Sequence, residues 1–184
     1  MENYIRVYDG VVSDVFCDKM IIQFEKTPKS HFTVENINRE GRPTFHQINL
    51  HNLKEWQPFS KTLQIVFKKY IHIYEKECNI TEYHWPIQYG YEQYRIKKYL
   101  PNDKDEFKNH VDVQDHASAR RFLALFLYLD NNEAGQTTFD DMGITVDCIK
   151  GRLLMFPPTW NYLHAGLKPV KKSKYIVGSY LHYL

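Results

Sequence analysis

Cysteine is scarce: Cys17, Cys78 and Cys148 are three widely spaced residues with no CxxC pairing. An odd, scattered set supplies neither a disulfide framework nor a thiolate zinc site, and a reducing setting is expected. Charge of one sign is missing too. The 24 basic and 22 acidic residues leave a formal +2, which points to no nucleic-acid or membrane surface, although "KPVKKSKY" is locally basic. No apolar run approaches the roughly 20 residues of a spanning helix. The opening "MENYIRVYDGVVSD" lacks the charged start and apolar core of a signal peptide, so a cytoplasmic, monomeric protein is expected. No repeat, low-complexity tract or linker-like run divides the chain. A single domain over 1–184 is expected.

Aromatic residues are abundant, at 15% with 14 Tyr and 11 Phe, and such chains lean towards strands. "YIRVYDGVV" predicts a short strand, and Ser13 predicts the N-cap of a helix through "DVFCDKMIIQFEKT", ended by Pro28. A second helix is predicted over "EWQPFSKTLQIVFKKYIHIYEKE". Pro58 suits its first turn, and Leu63, Phe67, Tyr70 and Tyr74 form its apolar stripe. Between the helices, "SHFTVENINREGRPTFHQINL" reads as an edge or surface excursion broken by Gly41 and Pro43. From Trp85 onward six strand-like segments follow, "PIQYGYEQYRIKKYL" to "KYIVGSYLHYL", separated by turn residues. Helices first and strands second predict an α+β, mainly β fold. The first 84 residues would be helix-rich support, and 85–184 the β-rich part.

The stretch "NHVDVQD" places His110 and Asp112 two positions apart. In a strand both project to one face and could offer an imidazole nitrogen and a carboxylate oxygen to one metal. Taken alone, an HxD is as readily polar punctuation at a strand end. His164 in "FPPTWNYLHAG" is the best third ligand. Two histidines and a carboxylate with open positions suit non-haem Fe(II), and zinc is also chemically possible. Lys174, ten residues on, opens an apolar strand; it is either buried with an anion partner or the last of the solvated run "KKSK".

Taken in order, "FKNHVD", "RRFLALFLYLD", "GQTTF" and "GRLLMFPPTWNYLHAGLKPVKKSKYIVGSY" resemble the blocks of the Fe(II)/2-oxoglutarate-dependent dioxygenases, in the prolyl 4-hydroxylase-like branch. The resemblance covers about residue 92 to the end. It implies a double-stranded β-helix, or distorted jelly roll, backed by the N-terminal helices. It makes His110, Asp112 and His164 the iron ligands and Lys174 the partner of the distal carboxylate of 2-oxoglutarate. Tyr128 and Tyr99 would join the cosubstrate site. The cofactors implied are Fe(II), 2-oxoglutarate and O2, with ascorbate as a candidate reductant. The implied reaction is hydroxylation of an unactivated C–H bond, with release of succinate and CO2, on a prolyl residue of a peptide or protein.

Arg95, Lys97, Arg121, Trp160 and Tyr180 are candidate substrate contacts, although Arg95 and Lys97 read equally as solubilising charge and Trp160 as core. Gln136 replaces the family's usual acid, Asp140 stands where proline is common, and Tyr180 stands where many relatives have tryptophan. The same chemistry on a free amino acid, another small molecule or a nucleobase is an alternative. A non-catalytic jelly-roll binding module is another, and a zinc hydrolase would need Asp115 as its base.

Overall fold

The computed structural model describes residues 4–34 and 45–184. Residues 35–44 of the predicted surface excursion, with Gly41 and Pro43, lie outside them. Twelve strands and two α-helices are described: β1 (Arg6–Tyr8), α1 (Asp14–Lys26), β2 (Thr33–Val34), β3 (His46–Asn49), α2 (Gln57–Glu77), β4 (Tyr89–Tyr91), β5 (Arg95–Tyr99), β6 (Phe107–His110), β7 (Arg121–Tyr128), β8 (Thr137–Phe139), β9 (Ile144–Val146), β10 (Leu153–Phe156), β11 (His164–Gly166) and β12 (Lys174–Tyr183). The strands form two antiparallel sheets. The larger runs β1-β10-β7-β12-β5-β3-β2, with β4 joined to the far end of β12; the smaller runs β6-β11-β8-β9. This is the expected mainly β jelly roll backed by helices.

Strand parity builds two cores from one sheet. On β7, Leu123, Leu125 and Leu127 pack towards the helices, while Ala124 and Tyr128 pack between the sheets. Leu153 and Met155 of β10 repeat the first pattern, and Leu154 and Phe156 the second. A sheet covered on both faces reads as a continuous apolar run, which is why "RFLALFLYL" shows so little alternation.

The helices sit where their apolar stripes require. Ser13 caps α1 by accepting from the Phe16 amide, and Cys17, Met20 and Phe24 are buried. On α2, Pro58 lies in the first turn, and the buried stripe is Leu63, Phe67, Ile71 and Tyr74. Tyr70, expected in that stripe, is only half-buried and packs beside Tyr8 at 5.0 Å. Ile71 takes the fully buried place and Tyr70 packs at the edge of the same core.

One expectation for the strands is corrected. "PIQYGYEQYRIKKYL" is two strands, β4 and β5, separated where the Glu92 amide donates to Tyr180 O. The parity of β7 also breaks: Leu181 pairs Leu123 and His182 pairs Arg121, so Phe122 is the extra residue of a bulge. Phe122 therefore packs with Trp85 and Tyr183 on the helix side, and Arg121 takes the face shared by Ala124, Phe126 and Tyr128. The N-terminal 84 residues also supply strands: β1 pairs β10, and β3 pairs β5.

Candidate metal centre and cosubstrate cavity

His110 ends β6, and His164 opens β11 directly opposite it. Asp112 is not on the strand, as its spacing suggested, but in the bend beyond it, where the amides of Asp112 and Val113 both donate to Pro158 O at 3.2 Å. A bulge in the β6–β11 pairing between His164 and Gly166 turns the strand beside the cluster. The result brings His110 Nε2 to 3.6 Å from Asp112 Oδ1, and His164 Nε2 to 3.6 Å from Asp112 Oδ2. One ligand atom from each residue lies within 4.8 Å of the other two.

The protonation pattern suits a cation. His110 Nδ1 lies 2.8 Å from Lys108 O, and His164 Nδ1 lies 2.9 Å from Tyr162 O. A carbonyl oxygen can only accept, so both Nδ1 atoms carry hydrogen, and in the neutral rings both Nε2 lone pairs face the centre. Burial pushes the His164 pKa down and keeps that ring neutral, against the pull of Asp112. For Asp112 burial works the other way, but His110, His164 and Lys97 outweigh it and hold the carboxyl below its ordinary pKa. Asp112 Oδ2 is buried with no hydrogen-bond partner. A mostly buried carboxylate with an orphaned oxygen between two imidazole lone pairs is unfavourable without a cation and complete with one. Two nitrogens and one oxygen leave positions open on a mononuclear ion, which fits Fe(II).

Behind the cluster lies a cavity of ≈ 580 Å³, open mouth included, reaching Tyr99, Thr137, Lys174 and Ile176. Lys174 is 3% exposed. Its Nζ donates to Gly135 O at 2.5 Å and lies 5.5 Å and 5.7 Å above the Tyr99 and Tyr128 rings. Burial pulls its pKa down to about 8. Gly135 has a φ of +80°, and an added Cβ would meet Lys174 Cδ at 2.9 Å, so this turn and this lysine require each other. Burial raises the Tyr99 and Tyr128 phenols well above their ordinary values, so both remain donors. Tyr128 shares a 2.6 Å hydrogen bond with Thr137 Oγ1.

Of the residues singled out in the sequence, Tyr99, Lys174, Lys97 and Tyr180 line the cavity with the three ligands, and Tyr128 is buried against Lys174. Arg121 stands at the rim, but its donors are used: Nε and Nη2 hold Glu92 at 2.6 Å and 3.0 Å, and Nη1 holds Asp112 O at 3.0 Å. Arg95 pairs with the same Glu92 at 3.3 Å and does not line the cavity. Trp160 is 84% exposed, which excludes the core-packing alternative. Thr137, Phe107 and Glu92 were missed by sequence reasoning. Thr137 shares strand parity with buried Phe139, a usable signal. Nothing local marks Glu92, whose partner is 29 residues away. Asp115, the base a zinc hydrolase would need, accepts from the Ser118 amide at 2.8 Å and hydroxyl at 2.7 Å.

Facing imidazoles and a carboxylate on a jelly roll, with a buried cation at the blind end, define a class: a mononuclear metal enzyme that takes an anionic cosubstrate. The comparisons with known proteins specify it further. The model of the 2OG-Fe(II) oxygenase superfamily matches residues 94–182, which contain every ligand and cavity residue named above. Over these residues, a little under half of the chain, the protein is similar to the 2OG-Fe(II) oxygenases, and its His110, Asp112 and His164 could hold the Fe(II) that such enzymes use.

Similar solved structures include a viral collagen prolyl hydroxylase from Paramecium Bursaria Chlorella virus-1, in a 2OG complex, at 19% identity and a TM-score of 0.75, covering 98% of this chain and 97% of that one. Another is a Trichoplax adhaerens prolyl hydroxylase in complex with a hypoxia inducible factor peptide fragment, at 15% identity and TM-score 0.75, with coverage of 98% and 84%. A Pseudomonas putida prolyl-4-hydroxylase matches at 12% identity and TM-score 0.66, with coverage of 98% and 94%. At these identities the likeness is one of fold. No curated protein sequence matches the chain.

Proposed function

We propose that this protein hydroxylates a prolyl residue in a peptide or protein, with His110, Asp112 and His164 as the iron ligands and Lys174 as the anchor of 2-oxoglutarate. The observation that carries the reading is the pairing in one cavity of an orphaned Asp112 oxygen between two imidazole lone pairs with a buried, anion-seeking lysine. Bound Fe(II) and 2-oxoglutarate supply O2 activation coupled to release of succinate and CO2. The chain's own residues do the rest. The imidazoles and Asp112 hold the metal at the cavity mouth; Lys174, with the Tyr99 and Tyr128 phenols, orients the cosubstrate's distal carboxylate. The apolar walls, Phe107, Phe126 and Ile176, keep bulk water from the reacting atoms.

The prolyl substrate is supported by the prolyl hydroxylase folds it resembles. Ascorbate serves as reductant in this reading. The whole of 1–184 acts as one domain, since β1 and β3 of the N-terminal part are woven into the sheet that carries Tyr99 and Lys174.

The test is anaerobic addition of Fe(II) and 2-oxoglutarate, followed by O2 and a panel of proline-containing peptides. A visible charge-transfer band, succinate, and peptides heavier by one oxygen on proline are expected. No band and no succinate would overturn the oxygenase site. Succinate with no modified peptide, but with a hydroxylated amino acid or nucleobase, would overturn the substrate.

A further inference from the structure

We propose that Tyr180 is a positioning residue of the metal centre, its phenol serving as the donor that holds one oxygen of Asp112 when the other is bound to the metal. The inference rests on the reading of Asp112 as a ligand. A ligating carboxylate leaves lone pairs that must find donors, and such outer partners fix both its rotamer and its affinity for the ion. Asp112 Oδ2 has none, and among the donors that line the same cavity the Tyr180 phenol is the one within hydrogen-bond reach of the Asp112 side chain.

The ring of Tyr180 is held for this task. It is 7% exposed, with the Arg121 guanidinium 4.2 Å above its centroid and Phe126 against it edge-on at 5.7 Å. Arg121 cannot swing away, because Glu92 grips it twice while its third donor holds the backbone oxygen of Asp112. One guanidinium therefore fixes the main chain of Asp112 and the ring that faces its side chain. Burial, and then the charge of Asp112, raise the Tyr180 pKa well above its ordinary value, which keeps the phenol a donor.

Mn(II), a redox-inert probe, tests the proposal in the full chain through its affinity by calorimetry and its electron paramagnetic resonance line shape. Tyr180→Phe keeps the ring and removes only the hydroxyl. Roughly 10-fold weaker Mn(II) binding is expected, the low end of the loss usual for removing an outer-sphere partner, with an altered line shape and unchanged 2-oxoglutarate affinity at saturating Mn(II). Phe67→Leu, in the helix-side core and away from the cavity, should lower Tm and leave Mn(II) affinity intact. Wild-type Mn(II) affinity in Tyr180→Phe would overturn the proposal. So would an equal affinity loss in Phe67→Leu, which would make the effect one of general destabilisation. If the wild-type chain bound no Mn(II), the ligand reading itself would fall, and this inference with it.

Discussion

At the scale of residues, the site joins groups whose demands conflict unless a ligand is present. Lys174 is the clearest case. An ammonium that is 3% exposed, with one carbonyl and two ring faces but no anion for company, is destabilising by itself, in line with a pKa lowered by burial to about 8. Lys174→Met should therefore raise the Tm of the ligand-free protein at pH 7, by an amount on the order of 3 kcal/mol in stability at most. It should abolish 2-oxoglutarate binding and leave Mn(II) binding intact. The sign with pH follows: the folded-state pKa lies below the unfolded one, so the penalty is full below about 8 and fades as pH rises towards the ordinary lysine value. The variant's advantage in Tm should shrink over that window.

The same group sets the cosubstrate's pH dependence. The charged lysine is the form that holds a carboxylate, so 2-oxoglutarate affinity should fall as pH rises through about 8, with proton uptake on binding there. Calorimetry in buffers of different ionisation enthalpy would detect the uptake, and a flat affinity from pH 7 to 9.5 would contradict it. His110, Asp112, His164 and Lys174 were legible in the sequence only as an ordered set resembling a family's blocks, since an HxD or a lysine closing "KKSK" reads by itself as polar punctuation. Glu92 was not, since a carboxylate that clamps Arg121 from another strand looks like any surface acid until the strands are aligned.

Among the elements, strand parity located most of the cavity and bulges account for its exceptions. Alternation along β5 puts Lys97 and Tyr99 on the cavity face and Ile96 in the helix-side core, as a period of two requires. The one-residue bulge at Phe122 reverses that logic, exchanging Phe122 for Arg121 on the inner face, and no sequence pattern announces it. The helices were legible as elements but not to the residue, since tertiary packing buried Ile71 fully and Tyr70 only in part. Their role is support, and α2 can be tested as such. Phe67 is fully buried beneath the sheet, so Phe67→Ala should cost about 3–5 kcal/mol of stability. At a temperature where the variant stays folded, its Mn(II) and 2-oxoglutarate affinities should match wild type. A selective loss of either ligand would show that α2 shapes the site instead of bracing it.

For the molecule as a whole, the two halves of the site belong to different sheets. His110 and His164 sit on the smaller sheet, with Asp112 just beyond β6, while Tyr99, Tyr128, Lys174 and Tyr180 sit on the larger. A metal alone would tie together groups at one end of the smaller sheet, with Tyr180 and Arg121 at Asp112 as its only links to the larger. A metal carrying 2-oxoglutarate, with its far carboxylate on Lys174, would span the gap and join the sheets. Ligand that binds only the folded state stabilises it by about 2.7 kcal/mol at one hundred times its Kd. The increment from 2-oxoglutarate should therefore appear only after metal, and it should reach both sheets. In hydrogen exchange, Mn(II) alone should slow amides around His110 and His164. Adding 2-oxoglutarate should extend protection across β6, β11 and the Lys174 end of β12. In Lys174→Met the second step should vanish while the first remains. Equal protection of both sheets by Mn(II) alone would mean that the sheets are already rigidly joined and that the cosubstrate adds chemistry without bracing the fold.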